Sequence, residues 1–177
     1  MRNFLFGCSI KLIFIFGVDL FLLSGGAQAQ SALTHCSSAE NNYFSCRIKN
    51  SENIISICGK GISGDSEKDL DEYLEYRYGQ AGKIVFKFPP RPARMSEAKF
   101  LGEYDRPYGE DFEADSVFFT GRHVTHHITI VEGRGVPPFT GLWVTRGKKV
   151  SKYQCASGAI SESLLALVLK LPPAPKH

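Results

Sequence analysis

The stretch "YFSCRIKNSENIISIC", residues 43–58, decides how the rest of the chain is read. Two runs rich in β-branched and aromatic residues, 43–49 and 54–58, flank Asn50-Ser51-Glu52-Asn53, whose residue types make turns. The stretch is therefore a hairpin. Cys46 and Cys58 are equidistant from Glu52, so a turn at 51–53 sets them opposite each other. Opposed Cβ atoms in a non-hydrogen-bonded pair lie roughly 4.5–5.5 Å apart, close to disulfide reach. A zinc clip or a redox pair would need closely spaced Cys-x-x-Cys ligands, which the stretch lacks.

A covalent rung of this kind implies an oxidising compartment, and the start of the chain agrees. Arg2 and Lys11 precede an apolar run, residues 12–23, and "SGGAQAQ" follows with Ala27-Gln28-Ala29 in small-x-small form. Residues 1–29 thus read as a signal peptide, with the secreted or periplasmic chain starting at Gln30. The run is shorter than the roughly 20 apolar residues that span a bilayer, which argues against an uncleaved anchor. Losing Arg2, Lys11 and Asp19 lowers the formal charge from +3 to about +2, too near balance to suggest nucleic acid. The remaining residues, 30–171, suit one domain with its own core, followed by a loose tail at 172–177.

Four cysteines survive cleavage: Cys36, Cys46, Cys58 and Cys155. Four allow three pairings. With Cys46 opposite Cys58, Cys36 is left for Cys155, tying the start of the domain to its last strand. Chain entropy makes the short loop worth roughly 3 kcal/mol and the long one nearly 5.

Beyond the first hairpin the period-two pattern continues. Leu74, Tyr76 and Tyr78 alternate with Tyr73, Glu75 and Arg77; Ile84, Phe86 and Phe88 alternate with Val85 and Lys87. A Gly-containing turn between them predicts a second hairpin, ended by Pro89 and Pro90. "DSVFFTG", "HVTHHITIV", "TGLWVT" and "VSKYQC" read as further strands, while 100–114 is ambiguous, with room for one short strand. Ile160, Leu164, Leu167, Val168 and Leu171 are spaced as one face of a helix, capped by Ser157 or Ser161; a closing strand is the alternative. Short strands without alternating helices make an all-β domain, a single antiparallel sandwich or barrel of about eight strands with a short C-terminal helix.

The segments "YFSC", "ISIC" and "YLEYRYGQAGKIVFKFP", with the late hairpin "KKVSKYQC", resemble a family of small exported (periplasmic) bacterial proteins. That family carries a Phe-Ser-Cys…Cys hairpin followed by a Tyr-x-Tyr-Gly-x-x-Gly-Lys hairpin. The likeness covers residues 43–90 and 142–155, and 98–116 depart from it. It implies an envelope-side β domain without an established activity, and carries no catalytic residue across.

Three features are candidates for chemistry. His123, His126 and His127 in "RHVTHHIT" could ligate zinc or copper. Their β-branched neighbours favour a strand, where His126 and His127 point to opposite faces and His123 lies roughly 13 Å from His127. The segment alone then cannot make a three-histidine site. His126 should lie with Ile128 and Ile130 towards the core, and His127 with Thr125 and Thr129 towards water. Second, Tyr73, Glu75 and Arg77 should form an exposed binding face opposite the core-facing Tyr76, Tyr78 and Phe86. Third, the carboxylates Glu103, Asp105, Glu110, Asp111, Glu113 and Asp115, and the acidic loop "GKGISGDSEKDLDE", are expected to be solvated; the loop lacks the Asp-x-Asp-x-Asp-Gly spacing of a calcium site.

There is no Gly-x-Ser-x-Gly elbow, and cysteines paired with one another supply no thiolate. The sequence thus points to a non-enzymatic binding or inhibitor-type module needing no cofactor. Its partner would be a protein or cell-wall component of the envelope. A small metal-binding protein or enzyme built on the histidine segment, and a structural envelope component, are the alternatives.

Overall fold

The computed structural model describes residues 34–60, 73–94, 97, 99–107, 111–121, 123–160 and 163–175. The expected signal peptide and nearly all of the acidic loop after Cys58 lie outside the described residues. Strands β1 (Asn41–Arg47), β2 (Asn53–Gly59), β3 (Leu74–Gln80) and β4 (Lys83–Phe88) form one antiparallel sheet in that order. A second sheet holds β5 (Leu101–Asp105), β6 (Phe112–Gly121), β7 (Val124–Gly133), β8 (Phe139–Arg146) and β9 (Lys149–Gln154), again in chain order. The all-β class is as the sequence predicts. The two sheets face each other as a sandwich, and their inward side chains share one core with Phe44, Ile57, Tyr76, Val117, Phe119 and Ile128 fully buried.

Along one edge the sheets are sewn together. Lys49 N donates to Gln154 O at 2.8 Å, and Ala156 N donates to Arg47 O at 2.8 Å. Cys46 and Cys155 stand at disulfide distance across this seam, with Cα atoms 5.7 Å apart. The other bond joins Cys36 to Cys58, Cα atoms 5.3 Å apart. The expected pairing, Cys46 with Cys58 and Cys36 with Cys155, is therefore corrected. The reason is register. Arg47 pairs with Ile54 and Cys46 with Ile55, so the turn is centred nearer Asn50 than Glu52. Asn50 sits at φ 59, a left-handed position that asparagine tolerates. Cys58 falls three positions beyond Ile55, opposite Asn42. An odd offset puts a strand side chain on the other face, so Cys46 points into the sandwich and Cys58 out of it.

Strand β2 is buried on both faces because the chain before β1 covers its outer side. There Ser45 Oγ donates to Ser56 Oγ at 2.8 Å, and His35 N donates to the same Ser56 oxygen at 2.9 Å. The apolar residues after 160 do form a helix, but α1 spans only Leu164–Val168. Ile160 is held out of it by paired backbone hydrogen bonds with Ser45, at 2.7 and 2.8 Å. The N-cap is Ser163, in place of the expected Ser157 or Ser161. Leu164, Leu167, Val168 and Leu171 all reach the core, where the helix packs on β5, β6 and β1. The approach is close: a Cβ on Gly102 would lie 2.4 Å from Val168 O. The residues after Leu171, expected to be loose, are partly tied down, since Gly102 N donates to Pro172 O at 2.9 Å and Ala174 N to Gly102 O at 3.0 Å.

An unreduced digest of the secreted chain should yield one peptide pair joining Cys36 to Cys58 and another joining Cys46 to Cys155. Recovery of a Cys46–Cys58 pair would contradict the register described above.

Candidate functional site

Between the sheets, towards the β6–β7 and β8–β9 turns, lies a cavity of about 500 Å³. That is within the roughly 300–1,000 Å³ of small-molecule sites. Tyr76 and Tyr78 of β3 and Phe86 of β4 form one wall; Leu142 and Val144 of β8 and Tyr153 of β9 form the other. Strand alternation puts them there: Leu142 pairs with Tyr153 and Val144 with Ser151, so these side chains share the inward face.

His126 lines the cavity level with Val144. Its ring stacks on Phe86 (centroids 5.3 Å, 11°) and on Phe119 (4.8 Å, 5°), and Phe119 stacks in turn on Phe88 (4.2 Å, 14°). Phe86 and Phe88 of the four-stranded sheet thus flank the paired His126 and Phe119 of the five-stranded one. This is the core-facing position expected for His126. Burial lowers its imidazole to about 4, so it is neutral at physiological pH. Burial likewise pushes the Tyr76 phenol up, which keeps its proton on. Neither the Tyr76 hydroxyl nor His126 Nδ1 has a hydrogen-bond partner, although Tyr76 is only 1 % exposed. By contrast Tyr78 Oη accepts from Asn53 Nδ2 at 2.8 Å.

The three histidines do not converge. His123 occupies the β6–β7 turn at φ 64, at the cavity rim, rather than the strand. His127 points to the opposite face from His126, as expected, but is half-buried instead of solvated: it meets the edges of Phe118 and Trp143. Burial lowers its pKa, and Glu103, whose carboxylate is 3.8 Å away, partly offsets that. Among the described residues no group of three or more His, Cys, Asp or Glu is placed to hold a metal ion.

The expected binding face of Tyr73, Glu75 and Arg77 is not an open surface. Those side chains do share the outer face of β3, but the segment before β1 lies over it. Glu75 is 1 % and Arg77 9 % exposed. Arg77 donates from Nη1 and Nη2 to the two Glu40 oxygens at 2.8 and 2.6 Å, to Glu75 Oε2 at 2.9 Å, and to His35 O at 2.7 Å. Lys87 reaches Glu75 Oε1 at 3.1 Å and Tyr73 donates to Glu40. Burial alone would raise the Glu40 carboxyl, but hydrogen bonds from Arg77, Tyr73 and Ser37 outweigh it and hold the pKa at about 2. The cluster fastens the N-terminal segment. Of the acidic candidates, Asp115 has its pKa raised by burial and by Glu113 and Glu132; Glu110 lies outside the described residues.

Period-two patterning identified Tyr76, Tyr78 and Phe86 but assigned them to the core alone. Leu142, Val144, Arg146 and Tyr153 were missed as site residues, because nothing local shows that two sheets fail to close over them. The chain has no match among protein-family models, curated proteins or solved structures.

Arg77→Leu leaves two buried carboxylates facing each other and should cost about 3–5 kcal/mol in urea denaturation; a loss below about 1 kcal/mol, typical of a surface pair, would refute the cluster's role. For His126, the unfolded chain takes up a proton near pH 6.5 while the folded one resists it until about 4. Its contribution to stability is therefore complete above pH 6.5 and is lost as pH falls towards 4. His126→Phe keeps a ring in the stack without a titrating group, so its denaturation midpoint should drop less than the native one between about pH 7 and about pH 4.5. Equal drops would contradict the assignment.

Proposed function

We propose that this chain is a non-enzymatic binding module of the bacterial envelope and that the cavity between its sheets is the binding site. The observation that carries this reading is an apolar-walled cavity of about 500 Å³ between the sheets whose lining holds few polar groups, the Tyr76 phenol and the His126 imidazole among them. Apolar walls with few placed polar groups are the usual build of ligand sites. The same groups make poor catalysts. At neutral pH a histidine of pKa about 4 is a weak base.

The compartment is part of the proposal. Two cysteine pairs at disulfide distance are compatible with an oxidising, exported location. No helix among the described residues is long and apolar enough to cross a membrane. The resemblance to small exported bacterial proteins fits the same reading. Of the residues that carry it, Phe44-Ser45-Cys46, Cys58 and the Tyr76–Lys83 motif share one sheet, while the late hairpin ending at Cys155 lies in the other. The ligand would come from the envelope, as a cell-wall component or part of a protein presented to the cavity.

The neutral apolar fluorophore N-phenyl-1-naphthylamine tests the site. Native protein should bind it with one-to-one stoichiometry. Val144→Trp, which fills the cavity, should weaken binding by at least about tenfold, roughly the effect of overpacking a site by a ring. Val150→Trp, on the opposite face of the same sheet, should not. Absence of binding to the native protein, or equal loss in both variants, would defeat the proposal.

A further inference from the structure

One end of the cavity carries charge of a single sign. Arg146 lines it, and Lys149 stands directly across from Arg146 in the β8–β9 ladder, on the same inward face. Lys148 lies in the turn between them, beside Gly147 at φ 57. No ion pair among the described residues neutralises any of the three cations. The cavity lining contains no Asp or Glu. Like charges placed directly opposite in an antiparallel pair are destabilising. This pair also sits where the sheets are open, so an anion arriving there would relieve the repulsion.

Moving inward from that end, the surface changes from cationic to apolar within one strand. Arg146, Val144 and Leu142 alternate inward along β8, and Val124 and His126 accompany them on β7. Arg146 and Leu142 are four positions apart, roughly 13 Å at about 3.3 Å per residue. A ligand matching this profile has an acid group at one end and an extended apolar body of that length.

We infer that the cavity takes a free, single-chain anionic amphiphile, with its apolar chain between the sheets and its acid head on Arg146 and Lys149. The inference rests on the cavity being the binding site and names the chemical class of its ligand. Burial of the chain supplies affinity, and the two cations set the polarity of entry. Guanidinium and ammonium donors together suit a carboxylate or a phosphate monoester. Positively charged amphiphiles of the same length would meet like charge at the rim.

Displacement of N-phenyl-1-naphthylamine tests this with dodecanoate and dodecyltrimethylammonium, each kept below the concentration at which it forms micelles. Dodecanoate should displace the fluorophore at about tenfold lower concentration, the size of one charge-assisted hydrogen bond. In Arg146→Ala/Lys149→Ala that ratio should fall to near one. Because the ratio is taken within each protein, a changed affinity for the fluorophore cancels. Equal displacement by the two probes, or a ratio unmoved by the double substitution, would overturn the ligand class while fluorophore binding upheld the cavity. A protein that binds phosphatidylglycerol vesicles but not monomeric dodecanoate would also overturn it, in favour of a membrane surface. A native protein that binds no fluorophore fails the earlier reading instead.

Discussion

The seam between β9 and β1 is the constraint on which the rest of the molecule depends. Each sheet is a meander whose pairings are all between chain neighbours, so nothing within either sheet brings the two together. The backbone bonds from Lys49 to Gln154 and from Ala156 to Arg47, with the Cys46–Cys155 bond beside them, join the first strand of one sheet to the last strand of the other. Sequence separation across that bond is 109 residues, so it acts on the unfolded chain as well as on the fold. It also sets which faces look at each other. Once β1 and β9 share an edge, the inward rows of both sheets must make one core.

That core is filled unevenly. At one end α1 drives Leu164, Leu167, Val168 and Leu171 between β1 and the β5–β6 pair, and Gly102 allows the helix backbone to come close. In the middle, Phe88 and Phe86 of β4 stack on Phe119 and His126, a cross-strand pair of the facing sheet. Beyond His126 no element of the described residues enters. Tyr78, Val144 and Tyr153 face a cavity there instead of one another. The position of the candidate site thus follows from where α1 stops and where the aromatic stack ends.

On the outer side of the four-stranded sheet a different problem is solved. Glu75 and Arg77 alternate with core residues on β3 and would face water in an open sheet. The segment before β1, held by Cys36–Cys58 and by Glu40, covers them. Burying three charges is tolerable only because Arg77 grips both Glu40 oxygens and one Glu75 oxygen, while Lys87 meets the other. The charged cluster thereby serves architecture, and the binding chemistry moves to the other face of the same strand.

Much of this was legible in the chain itself, for reasons of period and composition. Alternation of apolar and polar residues at 74–88 and 124–130 determined strands, their faces and the inward aim of His126, because a strand has a period of two and needs no partner to have faces. Four cysteines determined two bonds. What the sequence could not determine was any quantity that depends on register or on covering. The cysteine pairing turned on a shift of a few residues in one hairpin, which Asn50 in the left-handed region brings about. Arg77 was buried by a segment more than thirty residues away in the chain. The cavity arose because two sheets joined at one edge are filled at one end only. These are decisions of tertiary structure, since each depends on which distant surfaces come to lie against a face that the local pattern leaves ready for either water or protein.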